Sequence, residues 1–198
     1  MTDDIRGALA RYRPQRIERD GLPRAAVLIP IYQSDGTPHV LLTVRTDTVE
    51  HHKGQISFPG GAADPEDPDL EFTALRETFE EIGVRPEDVE VLGRLDDIVT
   101  ITNFLVTPYV GVLRGPVPYP FRHNEHEVAE LLEVPLLHLM EEANVVQETR
   151  EIGGRPTSTY SYRFGEHVIW GATARILRGF LDLLAPALWP PAGAKGAP

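Results

Sequence analysis

The sequence predicts a mixed α/β domain, with helices packed around a mixed sheet as an α/β sandwich. Runs rich in β-branched and apolar residues recur along the chain, and segments with helical periodicity lie between them. No interdomain linker or internal repeat divides the 198 residues, so strands and helices must share one core. That length suits one large domain, expected over residues 1–185, with a mobile tail at 186–198. With 41% hydrophobic and 25% charged residues, the composition is that of a soluble globular chain.

The elements follow in order. Asp3 or Asp4 caps a short helix that reaches about Tyr12 and is ended by Pro14. "RAAVLIPIY" (Arg24 to Tyr32) and "HVLLTVR" (His39 to Arg45) flank an Asp-Gly turn and form a hairpin. A long polar segment, Thr46 to Ser57, leads to a Gly60-Gly61 turn, and such loops are commonly functional. A glutamate-bearing helix follows, then strands over Val89 to Thr100 and Leu105 to Leu113. "RGPVPYPFRHN" reads as a surface loop, and "EHEVAELLEVPLLHLMEEAN" as helical or mixed, interrupted by Pro135. Two or three late strands precede a C-terminal helix, Ala172 to Leu184, with Ile176, Leu177, Phe180 and Leu184 on one stripe.

The formal charge of −11 disfavours partners that present a dense row of phosphates. No nucleic-acid duplex and no anionic membrane is expected, because either needs a basic face. A small-molecule phosphate ligand is compatible if metal ions screen the acids. The absence of cysteine excludes disulfides, thiolate zinc sites and cysteine nucleophiles. The N-terminal stretch lacks the apolar core of a signal peptide and no apolar run approaches membrane-spanning length, so a cytoplasmic protein is expected.

The segment "FPGGAADPEDPDLEFTALRETFEEIGV" (Phe58 to Val84) concentrates the chemistry. With about 100° per residue, Glu77, Glu80 and Glu81 share one face of a helix, and Phe72, Leu75, Phe79 and Ile82 lie opposite. The helix is therefore expected to be anchored by that apolar stripe and to present its acids from the other side. Like charges at these spacings cost a few tenths of a kcal/mol per pair, and a solvated acidic face is the plain reading of spacing alone. The surroundings argue for more. Arg76 is able to fix Glu77 through a forked hydrogen-bond pair, and the Gly60-Gly61 turn brings a backbone carbonyl near. Hard cations such as Mg²⁺ or Mn²⁺ prefer these oxygens and would turn the repulsion into a binding site.

"GG…RETFEEIGV" closely resembles the Nudix box, G-x5-E-x7-R-E-U-x-E-E-x-G-U with U apolar, of hydrolases that cleave nucleoside diphosphates linked to another moiety. Arg76, Glu77, Glu80, Glu81, Gly83 and Val84 match. Thr78 stands where an apolar residue is usual, and the segment from Gly61 to Arg76 is one residue longer. No residue of "DPEDPD" therefore takes the early glutamate's role. The resemblance implies an α/β/α sandwich with the box as a loop-helix-loop. It also implies a Mg²⁺ or Mn²⁺ site on Glu77, Glu80, Glu81 and the Gly61 carbonyl, with Arg76 orienting Glu77.

Upstream, "LLTVRTDTVEHHKGQISFPGG" (Leu41 to Gly61) resembles the signature LLTxR-[SA]-x3-R-x3-G-x3-FPGG of the coenzyme A diphosphatase subgroup. Thr46 replaces Ser/Ala, and Glu50 replaces the second arginine, a charge reversal that Lys53 could offset. The resemblance implies substrate contacts from Arg45, Lys53 and Gly54, with His51 and His52 as further donors. "RHNEHEVAELLEVPL" resembles the subgroup's later segment and implies Glu127 as an extra metal ligand or general base. The implied activity is metal-dependent hydrolysis of coenzyme A. ADP-ribose or NADH hydrolysis, and a non-catalytic nucleotide sensor, remain alternatives; a cysteine-dependent isomerase on this scaffold does not.

Overall fold

A computed structural model describes residues 2–46, 54–152 and 154–188. In chain order its elements are α1 (Thr2–Arg11), β1 (Arg24–Ser34), β2 (Thr37–Arg45), β3 (Ile56–Ser57), β4 (Gly60–Ala62) and α2 (Leu70–Ile82). They continue with β5 (Val89–Arg94), β6 (Ile98–Val99), β7 (Leu105–Leu113), β8 (Val128–Pro135), α3 (Leu136–Met140), β9 (Val145–Ile152), β10 (Arg155–Phe164), β11 (His167–Ile169) and α4 (Gly171–Leu188).

The expected hairpin forms between β1 and β2, with Ile31 opposite Val40 and Ser34 opposite Thr37. Asp35 and Gly36 both take positive φ, 49° and 77°, the conformation that lets a two-residue turn follow the strand twist. The main sheet runs β3-β2-β1-β7-β5, with β4 also on β1, β6 on β7 and β8 on β2. The β1–β7 pair is parallel, from Arg24 opposite Leu105 to Ile31 opposite Val112. The other described pairs are antiparallel, so the sheet is mixed as predicted.

Strand β1 reads as a continuous apolar run because both its faces are covered. Ile29 and Ile31, with Val40 and Leu42 of β2, join a core that includes Ile5 and Leu9 of α1 and Leu177, Phe180 and Leu184 of α4. Ala26 and Leu28 point the other way, onto Ala74 of α2, while Tyr32 and Leu41 pack with Ile82. The period-two alternation of one strand thus separates two helix layers.

Several segments differ from expectation. Gly60 and Gly61 are paired to β1 in strand β4, opposite Val27 and Ala26, rather than forming a turn. The Val89 to Thr100 stretch splits into β5 and β6, both on β7. The part of the mixed segment before Pro135 is strand, and helix α3 starts immediately after it. The three late strands form a separate sheet, β11-β10-β9. Helix α4 runs past Leu184 with Pro186 inside it. The rest of the expected tail, residues 189–198, lies outside the described residues.

The largest correction concerns α2. Its buried residues are Thr73, Ala74, Thr78, Glu81 and Ile82, whereas Phe72 and Phe79 are 47% and 51% exposed. The helix is rotated by roughly a third of a turn from the direction its apolar stripe suggests. Small Ala74 lies against Ala26 and Leu28, so the helix settles on its narrow side, and the two phenylalanines remain on its outer flank. Thr78, at 1% exposure, satisfies its hydroxyl by donating to the Ala74 carbonyl at 2.6 Å, a local bond that allows a polar residue inside.

Candidate active site

Both ends of α2 are fixed. Asp69 caps the N-terminus, its Oδ1 accepting the Phe72 N–H at 2.8 Å, which meets one of the open donors of a first turn. At the other end Gly83 adopts φ 72° and donates its N–H to the Phe79 carbonyl, a left-handed stop suited to glycine. Three glutamates leave this fixed rod in three environments. Glu81 is 4% exposed, Glu77 is partly buried, and Glu80 is largely exposed.

Strand β4 supplies the floor. The Gly60 N–H donates to Glu81 Oε2 at 3.3 Å. A Cβ on Gly60 would lie 2.3 Å from the Ala26 carbonyl oxygen, and one on Gly61 would lie 2.5 Å from the Glu77 carboxyl. Both distances are far inside contact range, so Gly60 lets β4 lie close on β1, and Gly61 lets the strand backbone come directly against the Glu77 carboxyl. The Gly-Gly pair matters for this close approach, even though it forms no turn.

Arg76 is the hub of the outer acids. Its Nη1 donates to Glu77 Oε1 at 2.8 Å and to Glu80 Oε2 at 3.1 Å. The fork expected on Glu77 closes instead on Asp67, with Nε to Oδ1 at 3.0 Å and Nη2 to Oδ2 at 2.9 Å. Asp67 also accepts from the Thr73 hydroxyl at 2.8 Å and the Asp64 N–H at 3.0 Å. Sequence reasoning left the acids of "DPEDPD" without a role. Asp69, just ahead of the helical run, carried a readable N-cap signal, but nothing local marked Asp67.

Electrostatics separates these acids. Hydrogen bonding from Arg76 holds the Asp67 carboxyl well below the usual range, and Asp67 raises Arg76 in return. Burial pushes Glu77 up against the opposing effect of Arg76. Burial drives Glu81 up to about 8; the Gly60 N–H and Arg45 pull it down, while Glu77 and Glu127 add repulsion. On both acids burial outweighs the positive charge nearby, and Glu81 has no ion-pair partner among the described residues.

Arg45 ends β2 where the β2–β8 register shifts, between Val44 and Arg45. Such irregularities re-aim side chains. Its Nε is buried and has no hydrogen-bond partner among the described residues. Gly54, at φ 65°, closes the base of the following segment: its N–H donates to the Arg45 carbonyl at 3.2 Å, and the Arg45 N–H donates to Gln55 O at 3.0 Å. Lys53, with Glu50, His51 and His52, lies outside the described residues. Glu127, on the exposed side, precedes β8 rather than a helix and acts electrostatically on both Glu77 and Glu81. The structure thus groups Arg45, Arg76, Glu77, Glu80, Glu81 and Glu127 with Gly54 and Gly61. A cavity of about 480 Å³ opens elsewhere, on the outer flank of α2 beside Phe79, Arg85, Tyr119 and Arg122.

Among the described residues, no three Asp, Glu or His side chains form a ready-made cation cage, and Glu77 and Glu80 each turn an oxygen to Arg76. The donor chemistry nevertheless fits a hard divalent ion. The donors are carboxylate oxygens, burial outweighs the compensation of Glu77 and Glu81, and the strand beneath Glu77 has room only for glycine.

A family model for the NUDIX domain matches residues 22–153. The chain belongs to the Nudix family. Similar proteins carry the name Uncharacterized Nudix hydrolase NudL. That from Photorhabdus laumondii is 39% identical over 164 residues, covering 83% of this chain and 86% of its own. That from Yersinia enterocolitica is 42% identical over 154 residues, covering 78% and 77%. The crystal structure of a MutT/nudix family protein from Enterococcus faecalis matches with a TM-score of 0.56 at 15% identity, over 96% of this chain and 74% of that one. This last likeness concerns the Nudix fold alone. No described helix is long and apolar enough to cross a membrane.

Proposed function

We propose that this Nudix hydrolase cleaves the diphosphate of coenzyme A, or of its thioester or oxidised forms, to adenosine 3′,5′-bisphosphate and 4′-phosphopantetheine. The observation that carries the reading is the Arg45 Nε, a buried donor without a partner among the described residues, beside an acid cluster. A buried guanidinium N–H is costly to leave unmatched, and a phosphate oxygen is the acceptor whose geometry suits it. Arg45 belongs to the LLTxR…FPGG signature that resembles the coenzyme A subgroup. The signature's Gly54 closes the segment after Arg45, and its final glycines lie under Glu77 and Glu81.

In this reading Glu77, Glu80 and Glu81, with the Gly61 carbonyl, hold Mg²⁺ or Mn²⁺. The ion supplies charge neutralisation of the diphosphate and a more acidic water. Arg76, anchored on Asp67, keeps Glu77 in place. Arg45 and Lys53 hold phosphate oxygens and stabilise charge that develops on them. Glu127 accepts the proton of the attacking water, whose oxygen bonds to one phosphorus as the bond to the bridging oxygen breaks in line. We assign all of this to one catalytic domain working in the cytoplasm.

The test is hydrolysis in ¹⁸O-labelled water with Mg²⁺, products read by mass, with coenzyme A, ADP-ribose and NADH compared side by side. Coenzyme A should have the highest kcat/KM, with one ¹⁸O in a single product. Preference for ADP-ribose or NADH would replace the substrate, and binding without turnover would make the protein a sensor.

A further inference from the structure

The chain from Arg122 to Val128 is tied to two elements of the site at once. The Arg122 N–H donates to the Ile82 carbonyl at 3.1 Å and the Asn124 N–H to the Glu81 carbonyl at 2.8 Å. These bonds use carbonyls that the end of α2 leaves open. Asn124 then organises the next residues. Its carbonyl accepts the N–H groups of Glu127 at 3.0 Å and Val128 at 2.8 Å. Its Oδ1 accepts the His126 N–H at 3.1 Å, and its Nδ2 reaches Glu127 Oε1 at 3.5 Å.

From the opposite side comes Thr46, the residue after Arg45. Its N–H donates to the Glu127 carbonyl at 3.0 Å, and its hydroxyl donates to the His126 carbonyl at 2.8 Å. Thr46 is buried, so its side of this bond is shielded from water. The Glu127 backbone is thus clamped between the catalytic helix and the strand that carries Arg45, although its side chain is exposed.

We infer that Thr46 is a positioning residue: its hydroxyl, through the His126 carbonyl, locks the 124–128 turn and so fixes where the Glu127 carboxylate sits beside the end of α2. Threonine at this position is then a functional variation on the Ser/Ala of the signature. Serine would keep the bond and alanine would not. The inference rests on the proposed function in one respect, that Glu127 works at this site.

The test is a double-mutant cycle of Thr46→Val with Glu127→Gln, with Thr46→Ser as the conservative control. Two readouts are taken: kcat and KM on coenzyme A with Mg²⁺, and affinity for Mn²⁺ alone. Thr46→Val should lower kcat and Mn²⁺ affinity by about 10-fold, the usual scale for a group that orients a ligand, with KM little changed. Thr46→Ser should restore both values, and Thr46→Val should add nothing in the Glu127→Gln background. The inference is overturned if Thr46→Val behaves as wild type, or if its loss persists undiminished without the Glu127 carboxylate. Should Thr46→Val fail to fold by circular dichroism, Asn124→Ser enters the same cycle and must show the same dependence on Glu127. If the wild-type protein turns over no coenzyme A, the proposed substrate fails, while the Mn²⁺ cycle still decides the role of Thr46.

Discussion

Asp67 and Glu81 are two nearly covered carboxylates against the same helix, and their electrical states are opposite. Asp67 receives both arms of the Arg76 fork, a hydroxyl and a backbone N–H, and is held strongly acidic. Glu81 has one backbone N–H and more distant help from Arg45, and is pushed up to about 8. An acid whose lone pairs are matched holds structure in place. An acid buried without compensation keeps a charge deficit that a ligand can fill. The clamp at one end of α2 and the deficit at the other are therefore different devices, though both are built from carboxylates.

The sharpest way to break this contrast is Glu81→Gln. It should lower kcat by about 10² to 10⁴-fold, the range for a group acting directly in the chemistry, while the metal-free protein melts no earlier at pH 8 than wild type. Retained turnover would make Glu81 a structural acid like Asp67.

The second test is the pH dependence of stability without metal. A carboxylate raised from 4.5 to about 8 on folding makes the folded state bind the extra proton between those values. Stability of the metal-free protein should then fall as pH rises through that window, by on the order of a few kcal/mol. Mg²⁺ should reduce the slope. Asp67 works in the other direction: its folded-state value is depressed, so its contribution is complete above the ordinary carboxylate range and is lost only as pH falls well below it. Thermal melts between pH 5 and 8, with and without Mg²⁺, separate the two. A flat metal-free profile would remove the charge deficit from Glu81.

The smallest effect is expected from Asp67→Asn. Arg76 would keep Glu77 and Glu80 but lose its forked anchor, so the melting temperature should drop, with a loss of about 10-fold in kcat/KM. A loss as large as that of Glu81→Gln would place Asp67 in the chemistry itself.

Much of the fold was legible. The β1–β2 hairpin follows from Asp35-Gly36 between two apolar runs, and α4 from its apolar stripe; α1 forms as read, but it begins by Thr2, so Asp3 and Asp4 lie in its first turn rather than at its cap. The glutamate spacing located the acid face of α2, and the Gly60-Gly61 pair marked a place of close approach. The partner of Arg76 was not legible, because the Asp67 fork depends on how the loop before α2 folds back, and four acidic residues there compete on equal terms. The depth of Glu81 was hidden for a related reason: the apolar stripe of Phe72, Leu75 and Phe79 pointed elsewhere.

The sequence by itself determined that Glu77, Glu80 and Glu81 leave one side of a helix, that Arg45 closes a strand, and that glycine lies between them, because spacing and φ preference are local properties of the chain. Tertiary structure alone decided which side of α2 faces the sheet, which acid is buried, and that Thr46, Asn124 and Glu127 meet. These outcomes depend on the shape of the surface opposite. The small surface of Ala26 and Leu28 receives Ala74 and leaves the larger phenylalanines on the flank, and with that rotation Glu81 turns inward to the Gly60 N–H.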